Sequence, residues 1–83
     1  MKITKKEIKK ALETIRENEC ICFHCGKPRS GREQIRVTKE NNLYSTISYY
    51  GTTSYDIGSQ EWDTLNDVAI FVYRNDVRKI GRF

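Results

Sequence analysis

The chain is poor in the features that mark specialised protein classes, and each absence excludes something. It holds one Pro, five Gly, one His and three Cys in 83 residues. Three is an odd number of cysteines, which argues against the paired disulfide framework of a small secreted domain. No apolar run approaches the roughly 18 residues of a membrane span, so no membrane partner is expected. The opening "MKITKKEIKK" has no apolar stretch behind its charges and does not read as a signal peptide; a reducing cytoplasm is the expected compartment. There is no phosphate-cradling Gly-rich loop. A lone His without a matching Ser and Asp arrangement carries no triad signal. Together these absences point away from an enzyme.

What is present describes one small folded domain, residues 1–83. Hydrophobic residues make up only 37% of the chain, but aromatics reach 11%, and disordered chains are poor in aromatics. A core of this size is thin, and small domains often lean on a metal, a disulfide or a partner. The net charge of +4 is uneven: residues 1–40 carry eleven Lys and Arg against six Glu, and residues 41–83 carry four against five acidic groups. A basic front of this kind suits an acidic partner, nucleic acid or protein.

Periodicity divides the chain. Thr4 and Glu7 have capping-box spacing. Ile8, Ala11, Leu12 and Ile15 follow at i, i+3, i+4 and i+7, which predicts an amphipathic helix over 5–18. Lys5, Lys6, Lys9, Lys10 and Arg16 lie off its apolar stripe, where a basic face could track phosphates or simply be solvated. "QIRVT" (34–38) alternates like a strand, "ENN" (40–42) is a turn signal, and "LYSTISYY" (43–50) is a second strand. Its Leu43, Ser45, Ile47 and Tyr49 share one face and Tyr44, Thr46, Ser48 and Tyr50 the other. A short return strand is expected over 53–57, and a polar loop or single helical turn over 58–67. "VAIFVY" (68–73), the most apolar run, is expected to be the central strand, with 77–80 pairing back onto it. The expected fold is α+β: one N-terminal amphipathic helix, then a small, mostly antiparallel meander of four to five strands.

All three cysteines and the histidine lie within six residues, 20–25. Cys22-Phe23-His24-Cys25-Gly26-Lys27 resembles the knuckle of zinc-ribbon and treble-clef domains, in which two thiolates a tight turn apart hold zinc. The resemblance covers six residues. It implies Cys22 and Cys25 as ligands and Gly26 as the turn glycine. The family's second ligand pair has no counterpart, because no Cys or His follows residue 25. A complete zinc site would need Cys20, Cys22, His24 and Cys25 together, Cys22 and Cys25 from two chains of a homodimer, or a carboxylate such as Asp76 to complete it. Without a metal, the segment is a tight turn joining helix to sheet. A redox reading of Cys-x-x-Cys fits poorly, since Gly26, Pro28 and Gly31 would break the helix that such a site opens.

Surface recognition remains. "KPRSGREQIRVTK" (27–39) sets Lys27, Arg29, Arg32, Arg36 and Lys39 against one acid, Glu33. Arginine's planar fork suits phosphate, and Tyr49 or Tyr50 beside it can stack on unpaired bases. The expected function is therefore non-enzymatic binding of nucleic acid, or of a protein in a nucleic-acid-handling complex, by a monomer or homodimer. The alternative is a small phage- or host-encoded inhibitor or adaptor directed at a protein, using Asp56, Glu61, Trp62 and Asp63. Tryptophan is a common interface anchor, although the only Trp of a small domain is also a natural core residue.

Overall fold

The computed structural model describes residues 2–26, 33–50 and 55–82. It has two helices and five strands in the order α1 (Lys5–Glu13), β1 (Cys20–Cys25), β2 (Gln34–Glu40), β3 (Leu43–Tyr50), β4 (Tyr55–Trp62), α2 (Leu65–Tyr73) and β5 (Val77–Arg82). The strands form one antiparallel sheet ordered β4-β3-β2-β1-β5. The fold is α+β, as expected, with a second helix. No helix among the described residues is long and apolar enough to cross a membrane.

Both helices bury their apolar sides on the same face of the sheet. Ile8 and Leu12 of α1 and Val68, Ala69 and Val72 of α2 are fully buried, and they cluster with Ile21, Phe23, Ile35, Val37 and Val77 of the strands. Each buried Leu, Ile, Val or Phe among them contributes about 1.5–3 kcal/mol. The Thr4–Glu7 capping box forms as its spacing predicts. The helix, however, ends at Glu13 rather than near residue 18. Thr14 turns its hydroxyl back onto the Ala11 carbonyl at 2.7 Å, a bond that competes with helix continuation. Ile15 is still buried. Asn18 then takes a left-handed conformation, φ 68°, and its N–H donates to the Lys39 carbonyl at 2.8 Å, which turns the chain into β1.

The run 68–73 is helix, not the central strand. Thr64 caps it by accepting the Asp67 N–H, and Leu65, Val68, Ala69 and Val72 repeat at i, i+3, i+4 and i+7 along the inner face. An apolar run of six residues cannot by itself distinguish strand from buried helix; the cap and Leu65, just upstream, carry the signal. The centre of the sheet falls to β2. Residues 77–82 consequently do not pair with 68–73. The α2 connection carries the chain from the β4 edge to the far edge, where they pair with β1. The expected polar loop over 58–67 is instead the end of the edge strand β4 (through Trp62) followed by the start of α2 at Leu65. An edge strand solvated along one side tolerates Gly58, Ser59 and Gln60, all three of which are exposed.

The β2–β3 turn forms where "ENN" places it. Asn41 and Asn42 both have positive φ, 51° and 65°, as a two-residue hairpin twisted to match its strands requires. The tight turn expected at residues 22–26 is instead β1 itself. Gly26 has another role there: its N–H donates to the Asp76 carbonyl at 2.8 Å, and the Arg78 side chain lies across it. A Cβ at Gly26 would sit 2.6 Å from Arg78 Cγ, so only glycine fits beneath that arginine as it stands.

Candidate binding face

Strand alternation assigns every β residue to the helix-covered face or to the opposite one. The registers align Gly81, Cys22, Arg36, Ile47 and Ser59 in one row on the opposite face, and Lys79, His24, Gln34 and Tyr49 in the next. No described helix packs there. In β3 three apolar residues lie on the side that a core argument would not choose, while Tyr44 joins the core on the helix side. Leu43, Ile47 and Tyr49 point to the uncovered face and are only half-buried, while Thr46 and Ser48 point to the helices and are buried.

Arg36 and Tyr49 meet on this face, with the guanidinium carbon 4.6 Å from the ring centroid. They are cross-strand diagonal neighbours, since Arg36 pairs with Ile47 and Gln34 with Tyr49. Gln34 also accepts from the Cys22 thiol at 3.6 Å, the length of a weak sulfur hydrogen bond. Cys22 is 1% exposed although no helix covers it, and it lies outside the hydrophobic cluster. Burial pushes its thiol pKa up; the Arg36 guanidinium opposes that shift, and the neighbouring Cys20 thiol adds to it. The Cys22 thiol therefore holds its proton to higher pH than a free cysteine, which slows its attack as a nucleophile. The face offers an aromatic ring, a guanidinium, an amide, an imidazole and two aliphatic side chains. That inventory stacks, donates and excludes water.

The structure separates several residues that the sequence groups. Lys39 alternates to the helix side, where its amine stands 5.9 Å from the Tyr44 ring; Arg36 and Lys39 therefore do not share a patch. Lys27, Arg29 and Arg32 lie outside the described residues, as do the side chains of Tyr50 and Asp56. Cys20, Cys22 and His24 share the uncovered face by alternation, but Cys25 packs against the core cluster on the other side. The Cys22–Cys25 chelate implied by the knuckle resemblance is therefore not assembled, because a strand replaces the turn that would converge the two sulfurs. Among the described residues no three His, Cys, Asp or Glu are grouped to hold a metal ion.

The acidic set also divides. Glu61 opposes Ser45 on the uncovered face. Trp62 packs against the core, its ring centroid 4.9 Å from that of Phe71. Asp63 is exposed just beyond the strand. Trp62 and Phe71 line a surface groove of about 480 Å³ with Ile70, Asp67, Arg74 and Asn75. Sequence reasoning missed Leu43 and Ile47 as surface residues. The alternation of β3 showed that they share a side, but not that the helices would cover the other. Comparison with protein-family models, curated proteins and solved structures gives no match for this chain, and its functional reading rests on this geometry.

Proposed function

We propose that the chain is a non-enzymatic binding protein that holds single-stranded nucleic acid against the uncovered face of its sheet. The observation that carries this reading is the orientation of β3. Leu43, Ile47 and Tyr49 are spent on a face that no described element of the chain covers, beside the Arg36 guanidinium. Partly exposed apolar and aromatic side chains on an open antiparallel sheet are a platform on which unpaired bases stack, and an adjacent arginine pairs with phosphate or stacks in turn. The neighbouring β1–β2 connection adds Lys27, Arg29 and Arg32 to the same sequence neighbourhood.

The test is titration of a labelled oligonucleotide of about 15 thymidines at two salt concentrations. Base stacking contributes about 1–3 kcal/mol per base, so Tyr49→Ala should weaken binding by roughly 5- to 150-fold. Arg36→Ala should weaken it and flatten the salt dependence by up to about 0.7, the slope for one phosphate on a single strand. Wild-type protein that fails to bind at about 50 mM salt, where phosphate contacts are strong, sinks the proposal. A second reading, a protein-directed adaptor, is favoured by the Trp62–Phe71 groove. Binding there would depend on Trp62 and Ile70, and only weakly on salt.

A further inference from the structure

The outer face of α1 takes no part in the sheet-face reading, yet it gathers four lysines within six residues. Lys5, Lys6, Lys9 and Lys10, with Glu13, line a single shallow concavity of about 500 Å³. None of the four lysine ammonium groups makes an ion pair or hydrogen bond with a described residue. Their spacing works against the helix. Lys5 with Lys9 and Lys6 with Lys10 are like-charge i, i+4 pairs, which destabilise a helix. Lys5 and Lys6 also occupy the first turn, where the helix dipole is positive and favours acids. The one acid of that turn, Glu7, is committed to the Thr4 hydroxyl and backbone N–H at 3.0 and 3.3 Å.

We infer that this face of α1 is a binding surface for the phosphate backbone of double-stranded nucleic acid. The inference stands independently of the single-strand proposal, because α1 lies on the side of the sheet opposite Arg36 and Tyr49. A polyanion removes all of the repulsions at once. A bilayer surface fits less well: an interfacial helix inserts its apolar side, and that side of α1 is fully used, with Ile8 and Leu12 at 0% exposure. The partner must then be recognised by charge alone. Lysines four apart on a helix are separated by about 6 Å along its axis, so the four form two short parallel rows that suit a linear array of phosphates better than one compact anion. Lysine contributes a point charge without the fork that reads a particular group, which makes the contact indifferent to sequence. Duplex offers the denser array, one charge per about 1.7 Å of axis.

The experiment uses the full chain and a labelled duplex of about 20 base pairs of arbitrary sequence. Lys5→Gln, Lys6→Gln, Lys9→Gln and Lys10→Gln are combined in one variant, since glutamine keeps helix propensity. Duplex affinity at about 50 mM salt should fall at least about tenfold, and the slope of log affinity against log salt should flatten by up to about 3.6, or 0.9 for each of four contacts. Its melting temperature should equal or exceed that of the wild type, which separates lost binding from lost fold. A second variant, Glu13→Lys, should tighten duplex binding. Arg36→Ala with Tyr49→Ala should leave duplex binding intact, whatever becomes of the single-strand reading. The inference is overturned if the wild type does not bind duplex at that salt, or if the quadruple variant binds as the wild type does. Lysine-dependent sedimentation with anionic phosphatidylserine vesicles, without duplex binding, also overturns it and reassigns the face to a membrane surface.

Discussion

The indole N–H of Trp62 donates to the hydroxyl of Thr46 at 2.9 Å, and that hydroxyl donates onward to the Gln60 carbonyl at 3.3 Å. Thr46 is 1% exposed, so a polar group on the core side of β3 is satisfied both as acceptor and as donor. This relay explains how the helix-covered face can carry hydroxyls while aliphatic side chains face outward. Thr46→Val keeps the shape but removes both bonds; the partners are the half-buried Trp62 indole N–H and the carbonyl of exposed Gln60, so the loss should be that of ordinary hydrogen bonds, about 0.5–1.5 kcal/mol each. Thr46→Ser, which retains the hydroxyl, should cost less than Thr46→Val. Denaturant melts in which valine is as stable as threonine would show that the relay does not matter.

Leu12 sits at 0% exposure between α1 and the sheet. Truncation removes the transfer energy and leaves a cavity, so Leu12→Ala should cost roughly 2–5 kcal/mol. Lys6→Ala, on the exposed side of the same helix, should change stability by no more than about 0.5 kcal/mol. A loss below half a kcal/mol for Leu12→Ala would mean that the stripe does not pack as described.

The three thiols should react in an order set by burial. Cys22 is buried, whereas Cys20 and Cys25 are half-buried, and thiolate, not thiol, attacks alkylating agents. Mass spectrometry after a short iodoacetamide pulse should find Cys22 modified last. Because its pKa is raised in the folded state, the folded protein keeps this proton to higher pH than the unfolded chain, where the ordinary value is about 8.5. Stability linked to Cys22 is therefore complete below about pH 8.5 and is lost as pH rises through the higher folded value. Cys22→Ser should reduce that alkaline loss; an unchanged pH profile would assign it to other groups.

Cys22 and Cys25 lie on opposite sides of β1, with Cys25 against the core. A domain that depends on structural zinc unfolds when the metal is removed. Here the circular-dichroism spectrum and melting temperature should be unchanged in excess chelator. Unfolding with release of about one zinc per chain would require a different arrangement of residues 20–25 in solution.

Local chemistry was legible in the sequence wherever a few neighbouring residues decide the outcome. The Thr4–Glu7 cap, the Ile8–Leu12 stripe, the β2 and β3 strands and the Asn41–Asn42 turn all depend on contacts within a few residues, and each formed; the stripe's continuation through Ile15 did not, because the helix stops at Glu13. The strand assignment of 68–73 failed because six consecutive apolar residues satisfy a buried helix and a central strand equally well. The true helix began three residues earlier, at a polar stretch read as loop. The knuckle failed for a related reason. Cys-x-x-Cys spacing fixes which sulfurs can converge only if the backbone turns, and β1 is extended by pairing with β2 on one side and β5 on the other. The β5 partner lies more than fifty residues away in the chain.

The candidate site divides along the same line. Sequence alone determined that Leu43, Ile47 and Tyr49 share a side of β3 and that Arg36 precedes them on a neighbouring strand, because side chains alternate on any strand. Only the tertiary structure decided which side faces the core. That choice belongs to α1 and α2, whose apolar stripes cover the face bearing Ile21, Phe23, Ile35 and Val37, and to Thr46, which accepts burial because Trp62 and Gln60 satisfy its hydroxyl. Burying one face of a sheet sets the other face free, and the register that carries the hydrophobic strands inward brings Arg36 over Tyr49 on the outside.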